Sequence, residues 1–392
     1  MSTRTNDWVA AIEGLPDNYF RDLVNSLSMG DLQKYPPRKA CGIPFGHEIG
    51  IFLRYLRREN NIFDPSALWY IYRSCASKRE NLLRRAFLEG LFLSKEEWYE
   101  IIGEVNFSIW ASAGILLVDA DGKLACPFSI LPIGKLLMIT DSHNYNPEDQ
   151  QSLNMSVWIC KYTIAIMRFL FKQQLSKGRR YLDIGTGSGI LLLSLRDRYK
   201  DGIGIDINAR AIRIAAINVA INPGPSCSVR LADVFKLENE YGQFDLITWN
   251  IPFVFLPDSL KEKIDSYGGE MGIELTTRFI KILPNLLTDI GEAHLLSSAP
   301  ILENGINVLE SKLREIVKNL PLDISINVLT SYFMPQMFRF HKTHGIERFE
   351  SVMLKIKIGK GRLERIEIPI ARRVLDKISI LFYRVQRRIF KQ

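Results

Sequence analysis

Cysteine is scarce in this chain. The 392 residues hold five, at positions 41, 75, 126, 160 and 227, without C-x-x-C spacing. An odd, scattered set excludes a disulfide framework and a cysteine-rich metal centre, and fits a reducing cytoplasm. Long apolar runs are also missing, and none approaches the roughly 18–20 residues of a membrane span. The start, MSTRTNDWVA, lacks a basic segment followed by an apolar one, so no secretory signal is expected. There is no G-x-x-x-x-G-K-[ST] phosphate loop and no G-x-S-x-G nucleophile elbow. Internal repeats and low-complexity segments are absent. Histidine is rare too. His341 and His344 have H-x-x-H spacing, but no acidic or cysteine pattern supports a metal, so they read as a surface turn.

Most of the chain also lacks an excess of either charge. The formal net charge is +8, yet residues 355–392 alone hold twelve Lys/Arg and three Asp/Glu. The remainder has 39 basic and 40 acidic residues. A neutral body argues against a broad phosphate-binding footprint. In the tail, Val374, Ile378, Leu381, Val385 and Ile389 form one helical stripe, with Arg372, Arg373, Lys377, Arg384, Arg387 and Arg388 largely elsewhere. Residues 363–392 are therefore expected to form a basic amphipathic helix. It either docks on the body or contacts an anionic surface, RNA or an acidic partner.

What is present is a change of rhythm. Residues 1–140 open with helical spacing in DNYFRDLVNSL, GHEIGIFLRYLRREN and KRENLLRRAFLEGLFL. Ser94 and Glu97 form a capping box before WYEIIGEV, and Asp121-Gly122 signals a β-hairpin. Helices followed by a hairpin suggest a winged-helix-like domain. Residues 141–153 are polar and read as an exposed linker or lid. From 154 to 362 a helix is followed by strands and helices in alternation. RYLDIG, GIGIDI, CSVRLADVF, FDLITWN and EAHLLSSAP are the strand candidates, with ISINVLTSYF and ESVMLKIKIG as two more. Alternation at this spacing predicts an α/β fold, a parallel sheet with helices on both faces.

The loop in LDIGTGSGI follows a strand and opens a helix. Gly185, Gly187 and Gly189 permit a sharp turn and close approach of a ligand. The dinucleotide pattern G-x-G-x-x-G is not met, because Ile190 and Leu192 stand where a third glycine would be. Asp206 ends the next strand about 20 residues on, where a carboxylate can accept both ribose hydroxyl protons. Asp233, in LADVF, can accept from an exocyclic amine of adenine. The alternative is that both acids only cap helices.

YLDIGTGSGI, GIGIDIN, RLADVF and FDLITWNIPF, in this order over residues 154–300, resemble the motifs of class I S-adenosylmethionine-dependent methyltransferases. That resemblance implies a Rossmann-like seven-stranded sheet and S-adenosylmethionine as cofactor. It places Asp183, Gly185, Thr186, Gly187 and Gly189 near the methionine part. Asp206 and Ile207 fall at the ribose, and Asp233 and Val234 at the adenine.

Asn250-Ile251-Pro252-Phe253 resembles the N-P-P-[YF] motif of enzymes that methylate planar nitrogens, such as the HemK/PrmC type. The chemistry suits the residue types. An amide or exocyclic amine is a poor nucleophile, because its lone pair is delocalised. The Asn250 side-chain oxygen and a carbonyl at 251 can accept its N–H bonds, and Phe253 can stack on its plane. Orientation then does most of the catalysis. Ile251 departs from the usual proline but still offers its backbone. SYGGEMGIELTTRF resembles the G-G-x-x-G…R segment of the same group. This makes Tyr267, Gly268, Gly269 and Arg278 a wall of the acceptor pocket. Trp158 either covers the methyl donor or packs. The acceptor stays open between protein, RNA and a small molecule, and a non-catalytic nucleoside-binding module is the rival class.

Overall fold

The computed structural model describes residues 7–27, 78–142, 157–173 and 179–367, apart from 17, 88–89, 134, 158, 160, 225, 238–240, 261–264, 333 and 335–336. In chain order the first elements are α1 (Trp8–Glu13), α2 (Tyr19–Ser26), α3 (Lys78–Phe87), α4 (Lys95–Ser112), β1 (Leu117–Val118), β2 (Leu124–Ala125), β3 (Phe128–Ile133) and β4 (Leu136–Asp141). Then come α5 (Lys161–Phe171), β5 (Arg179–Ile184), α6 (Ile190–Ser194), β6 (Tyr199–Asp206), α7 (Ala209–Ile221), β7 (Cys227–Leu231) and β8 (Phe244–Asn250). The last are α8 (Glu274–Leu286), β9 (Leu287–Leu302), α9 (Val308–Val317), β10 (Leu322–Tyr332), α10 (Phe338–Thr343), β11 (Ile346–Ile358) and β12 (Leu363–Ile366).

The chain divides into two compact units. One comprises Met1–Lys161, Thr186–Ser194 and Asp206–Leu231, and the other Tyr162–Gly185, Leu195–Ile205 and Ala232–Gln392. In the first, the capping box forms as expected. The Ser94 hydroxyl accepts from the Glu97 N–H at 3.2 Å, and the Glu97 carboxylate accepts from the Ser94 N–H at 2.9 Å. Two hairpins follow, β1–β2 around Gly122 (φ 76°) and β3–β4. Trp8, Phe20, Phe87, Trp98, Trp110 and Phe128 fill this unit's core, with ring centroids 4.9–6.3 Å apart. Each such pair adds roughly 0.5–1.5 kcal/mol beyond burial of its area.

Asp141, expected to start an exposed linker, instead ends β4 and is buried. It accepts from the Trp8 indole at 2.7 Å and from the Val157 N–H at 2.8 Å, and it pairs with the buried Arg210 of α7. Its charge hid this role, because an isolated acid at the end of an apolar run reads as solvent-facing. Linker residues 143–153 lie outside the described residues, as do 154–156, GHEIGIFLRYLRREN and the chain beyond 367.

Among the described residues the main sheet is mixed, with eight strands in the order β12-β10-β11-β9-β8-β5-β6-β7. The expectation was seven. The eighth, β12, occupies residues assigned to a tail helix and runs parallel to β10, with Ser325 opposite Glu364. It is four residues long and half charged, so its alternation merges into the basic tail. Strands β5, β6, β8 and β9 are parallel, while β11 is antiparallel to both β9 and β10. In β8, Phe244 and Leu246–Trp249 are buried, which suits a central strand covered on both faces. No helix among the described residues is long and apolar enough to cross a membrane.

Candidate active site

Strand register sets the site. Ile184 lies opposite Ile205 on β6 and opposite Trp249 on β8. The glycine loop, Asp206 and Asn250 thus leave the carboxyl ends of adjacent parallel strands, where open α/β sheets bind ligands. Gly185, Gly187 and Gly189 all have positive φ, at 58°, 55° and 79°. A Cβ on Gly185 would lie 3.1 Å from the Trp249 indole nitrogen. The first glycine of the loop therefore packs on the residue preceding Asn250.

The acids around this loop are each held by specific partners. Asp183 is buried and accepts from the Thr248 hydroxyl at 2.7 Å. Thr248 has one proton to give, so Tyr181, 2.6 Å away, donates to it. Burial, followed by the charge of Asp183, pushes the Tyr181 phenol well above its usual range.

Asp206 accepts from the Gly187 and Asn208 N–H groups, both at 2.9 Å. Burial raises its pKa, and the N–H groups of Asn208, Gly187 and Ile207 only partly oppose this. Asp233 caps the turn Val234–Lys236 by accepting from the Phe235 N–H at 3.0 Å. Both acids therefore do cap the backbone. A carboxylate offers about four lone-pair sites, so capping and ligand binding coexist. Val234 is buried, whereas Ile207 is 43% exposed.

Asn250 reaches Thr163 of α5, with Nδ2 3.5 Å from the hydroxyl. The Ile251 N–H bonds to the Leu296 carbonyl at 3.3 Å, and its side chain is buried. Pro252 is half-buried. Phe253 is buried, with its ring edge-on to Tyr162 at 4.9 Å. The backbone of 266–268 straps this loop. Val254 N–H donates to Ser266 at 2.7 Å, Gly268 N–H donates to Val254 at 2.9 Å, and Val254 bridges Tyr267. A Cβ on Gly268 would lie 2.7 Å from Phe253 Cα. Gly269, at φ 73°, continues the same turn. Arg278 lies over the ring of Phe235 at 3.9 Å, beside the Asp233 turn. Trp158 lies outside the described residues.

Sequence reading missed Tyr162, Thr163, Asn218 and His341. Asn218 was visible as a polar residue on the buried stripe Ala211, Ile214, Ala215, Ile221 of α7. His341 was misread as part of a surface turn. It is buried in α10, and its Nε2 lies 2.9 Å from the Phe255 carbonyl. His344 is exposed. No signal in the sequence brings 341 to 255.

Residues 175–318 match the family described as a methyltransferase domain. A Methanocaldococcus jannaschii protein provisionally named a protein N5-glutamine methyltransferase is 38% identical over 130 residues, 31% of this chain and 64% of that protein. The release factor glutamine methyltransferase of Fusobacterium nucleatum is 28% identical over 116 residues, 28% of either chain. The tRNA1(Val) (adenine(37)-N6)-methyltransferase of Aeromonas salmonicida is 28% identical over 123 residues, covering 30% of this chain and 51% of that one. The chain thus spans less than two thirds of the length of each of these relatives.

Residues 175–318, which hold the glycine loop and the strand-end acids, thus carry a methyltransferase domain. The relatives it resembles include proteins named as glutamine N-methyltransferases. The residues fit the cofactor. Three positive-φ glycines let the loop backbone turn tightly, and two carboxylates stand at or just past the strand ends, with lone pairs to spare for hydroxyl or amine donors.

Proposed function

We propose that this protein transfers a methyl group to a planar nitrogen, an amide or exocyclic amine, of a protein or RNA. The observation that carries this reading is the position of Asn250. It ends β8, one residue after the Trp249 that packs against the glycine loop. S-adenosylmethionine supplies an electrophilic methyl group on a sulfonium. Asp206 would hold the ribose hydroxyls, and Asp233 would accept from the adenine amine. The Asn250 carbonyl oxygen accepts an N–H of the incoming nitrogen and turns its lone pair toward the methyl. Catalysis is then chiefly orientation, worth up to about 7–11 kcal/mol when reacting atoms are well aligned. No strong base is needed, because the proton leaves late, to water.

The relatives named for protein glutamine and for tRNA adenine support this choice, since both acceptors are planar nitrogens. Residues 1–140, with their helices and two hairpins, are the part we assign to acceptor recognition, in the manner of a winged-helix domain. Free Cys126 and Cys227 suit a reducing cytoplasm.

The test is transfer of labelled methyl groups onto a cell lysate separated into protein, RNA and small molecules. Label on nitrogen in the protein or RNA fraction is expected. Label only in small molecules would redirect the assignment to a metabolite acceptor.

A further inference from the structure

The loop that follows Asn250 is held at its far end by a histidine. His341 is only 3% exposed, and its Nε2 sits 2.9 Å from the carbonyl of Phe255. A carbonyl can only accept, so Nε2 carries the proton and the ring donates. Burial, ahead of any other influence, lowers the pKa of His341, which keeps the ring neutral.

The surroundings are aromatic. The imidazole stacks on Phe255 at 5.9 Å and meets Phe349 edge-on at 4.8 Å. Phe340 lies 4.8 Å from Phe255, and His344 lies 5.0 Å from it. A phenyl ring at 341 would fill this cage equally well. Burying a polar ring there is favourable only if its N–H is used. Nearer to Asn250, the loop is tied by Ile251 to Leu296, and by Val254 to Ser266 and Gly268. After Phe253, His341 supplies a side-chain tether.

We propose that His341 is a positioning residue that fixes the 250–256 loop through the Phe255 carbonyl and so sets the angle at which Asn250 and Phe253 meet the acceptor. The proposal rests on reading 250–253 as the acceptor clamp.

The test compares the full-length protein with His341→Phe, which fills the cage without donating, and His341→Gln, which can donate. Hydrogen exchange of the peptide covering 250–256 is measured with and without S-adenosylhomocysteine, alongside labelled-methyl transfer to lysate. Exchange of this loop should quicken about tenfold in His341→Phe and return to within about threefold of the native rate in His341→Gln. Affinity for S-adenosylhomocysteine should be unchanged in both, while transfer falls with the loosened loop and recovers with glutamine. Native exchange in His341→Phe, or glutamine as impaired as phenylalanine, overturns the proposal. If Asn250→Ala transfers methyl groups normally, the acceptor reading fails separately, and loop exchange still decides whether His341 is the tether.

Discussion

Asn218 donates its side-chain amide to the carbonyl of Ser188, 2.8 Å away in the glycine loop. The same amide pairs with both backbone groups of Ile139, donating at 2.8 Å and accepting at 2.7 Å. One turn on, Asn222 pairs in the same way with Leu137. The two asparagines complete the edge of β4 as a strand would, but only Asn218 is bonded to the loop carbonyl. Asn218→Leu and Asn222→Leu should each lose about 1–3 kcal/mol of stability, because each leaves β4 backbone groups unmatched, buried at Ile139 and part-buried at Leu137. Only Asn218→Leu should weaken S-adenosylhomocysteine binding, by about tenfold. Calorimetric titration and denaturant unfolding of the two variants separate these effects.

Asp206 predicts a pH dependence of opposite sign to the usual salt-bridged carboxylate. Its pKa in the folded protein is raised by burial. The folded state therefore binds this proton more readily than the unfolded chain. Its contribution to stability is present below the unfolded value and is lost as pH rises through the raised one. Ligand hydroxyls favour the charged form instead. Affinity for S-adenosylhomocysteine should climb as pH rises through the raised pKa and level off above it. Asp206→Asn should bind weakly and show no such step.

Removing Arg210 should destabilise the first unit severely. Its side chain is 5% exposed and its partner Asp141 fully buried. Arg210→Ala would leave that carboxylate with the Trp8 and Val157 donors but no counter-charge. A loss of about 3–5 kcal/mol is expected, read from chemical denaturation.

Gly268→Ala should injure the acceptor loop while sparing the cofactor. The added methyl would press on Phe253 Cα at 2.7 Å, which is backbone and cannot rotate away. The expected cost is about 1–3 kcal/mol, with methyl transfer lost and S-adenosylhomocysteine binding retained.

The parts of the fold that follow a local rule were readable in advance. The capping box at Ser94 and Glu97, the turn at Gly122 and the strands ending in Asp206 and Asn250 all depend on near neighbours. The rest depends on long-range pairing. Asp141 and Arg210 are 69 positions apart, and His341 and Phe255 are 86. No periodicity signals a partner at that distance, so both groups looked solvated. Gly268 was legible as a glycine of a motif. Its physical reason, the close passage of Phe253, needed coordinates.

The most direct test is titration of S-adenosylmethionine into the native protein, Asp206→Ala and Asn250→Ala. Binding to the native protein and to Asn250→Ala, with none to Asp206→Ala, is the expected result. No binding to the native protein at high micromolar ligand, or equal loss in both variants, would contradict the assignment of cofactor and acceptor roles.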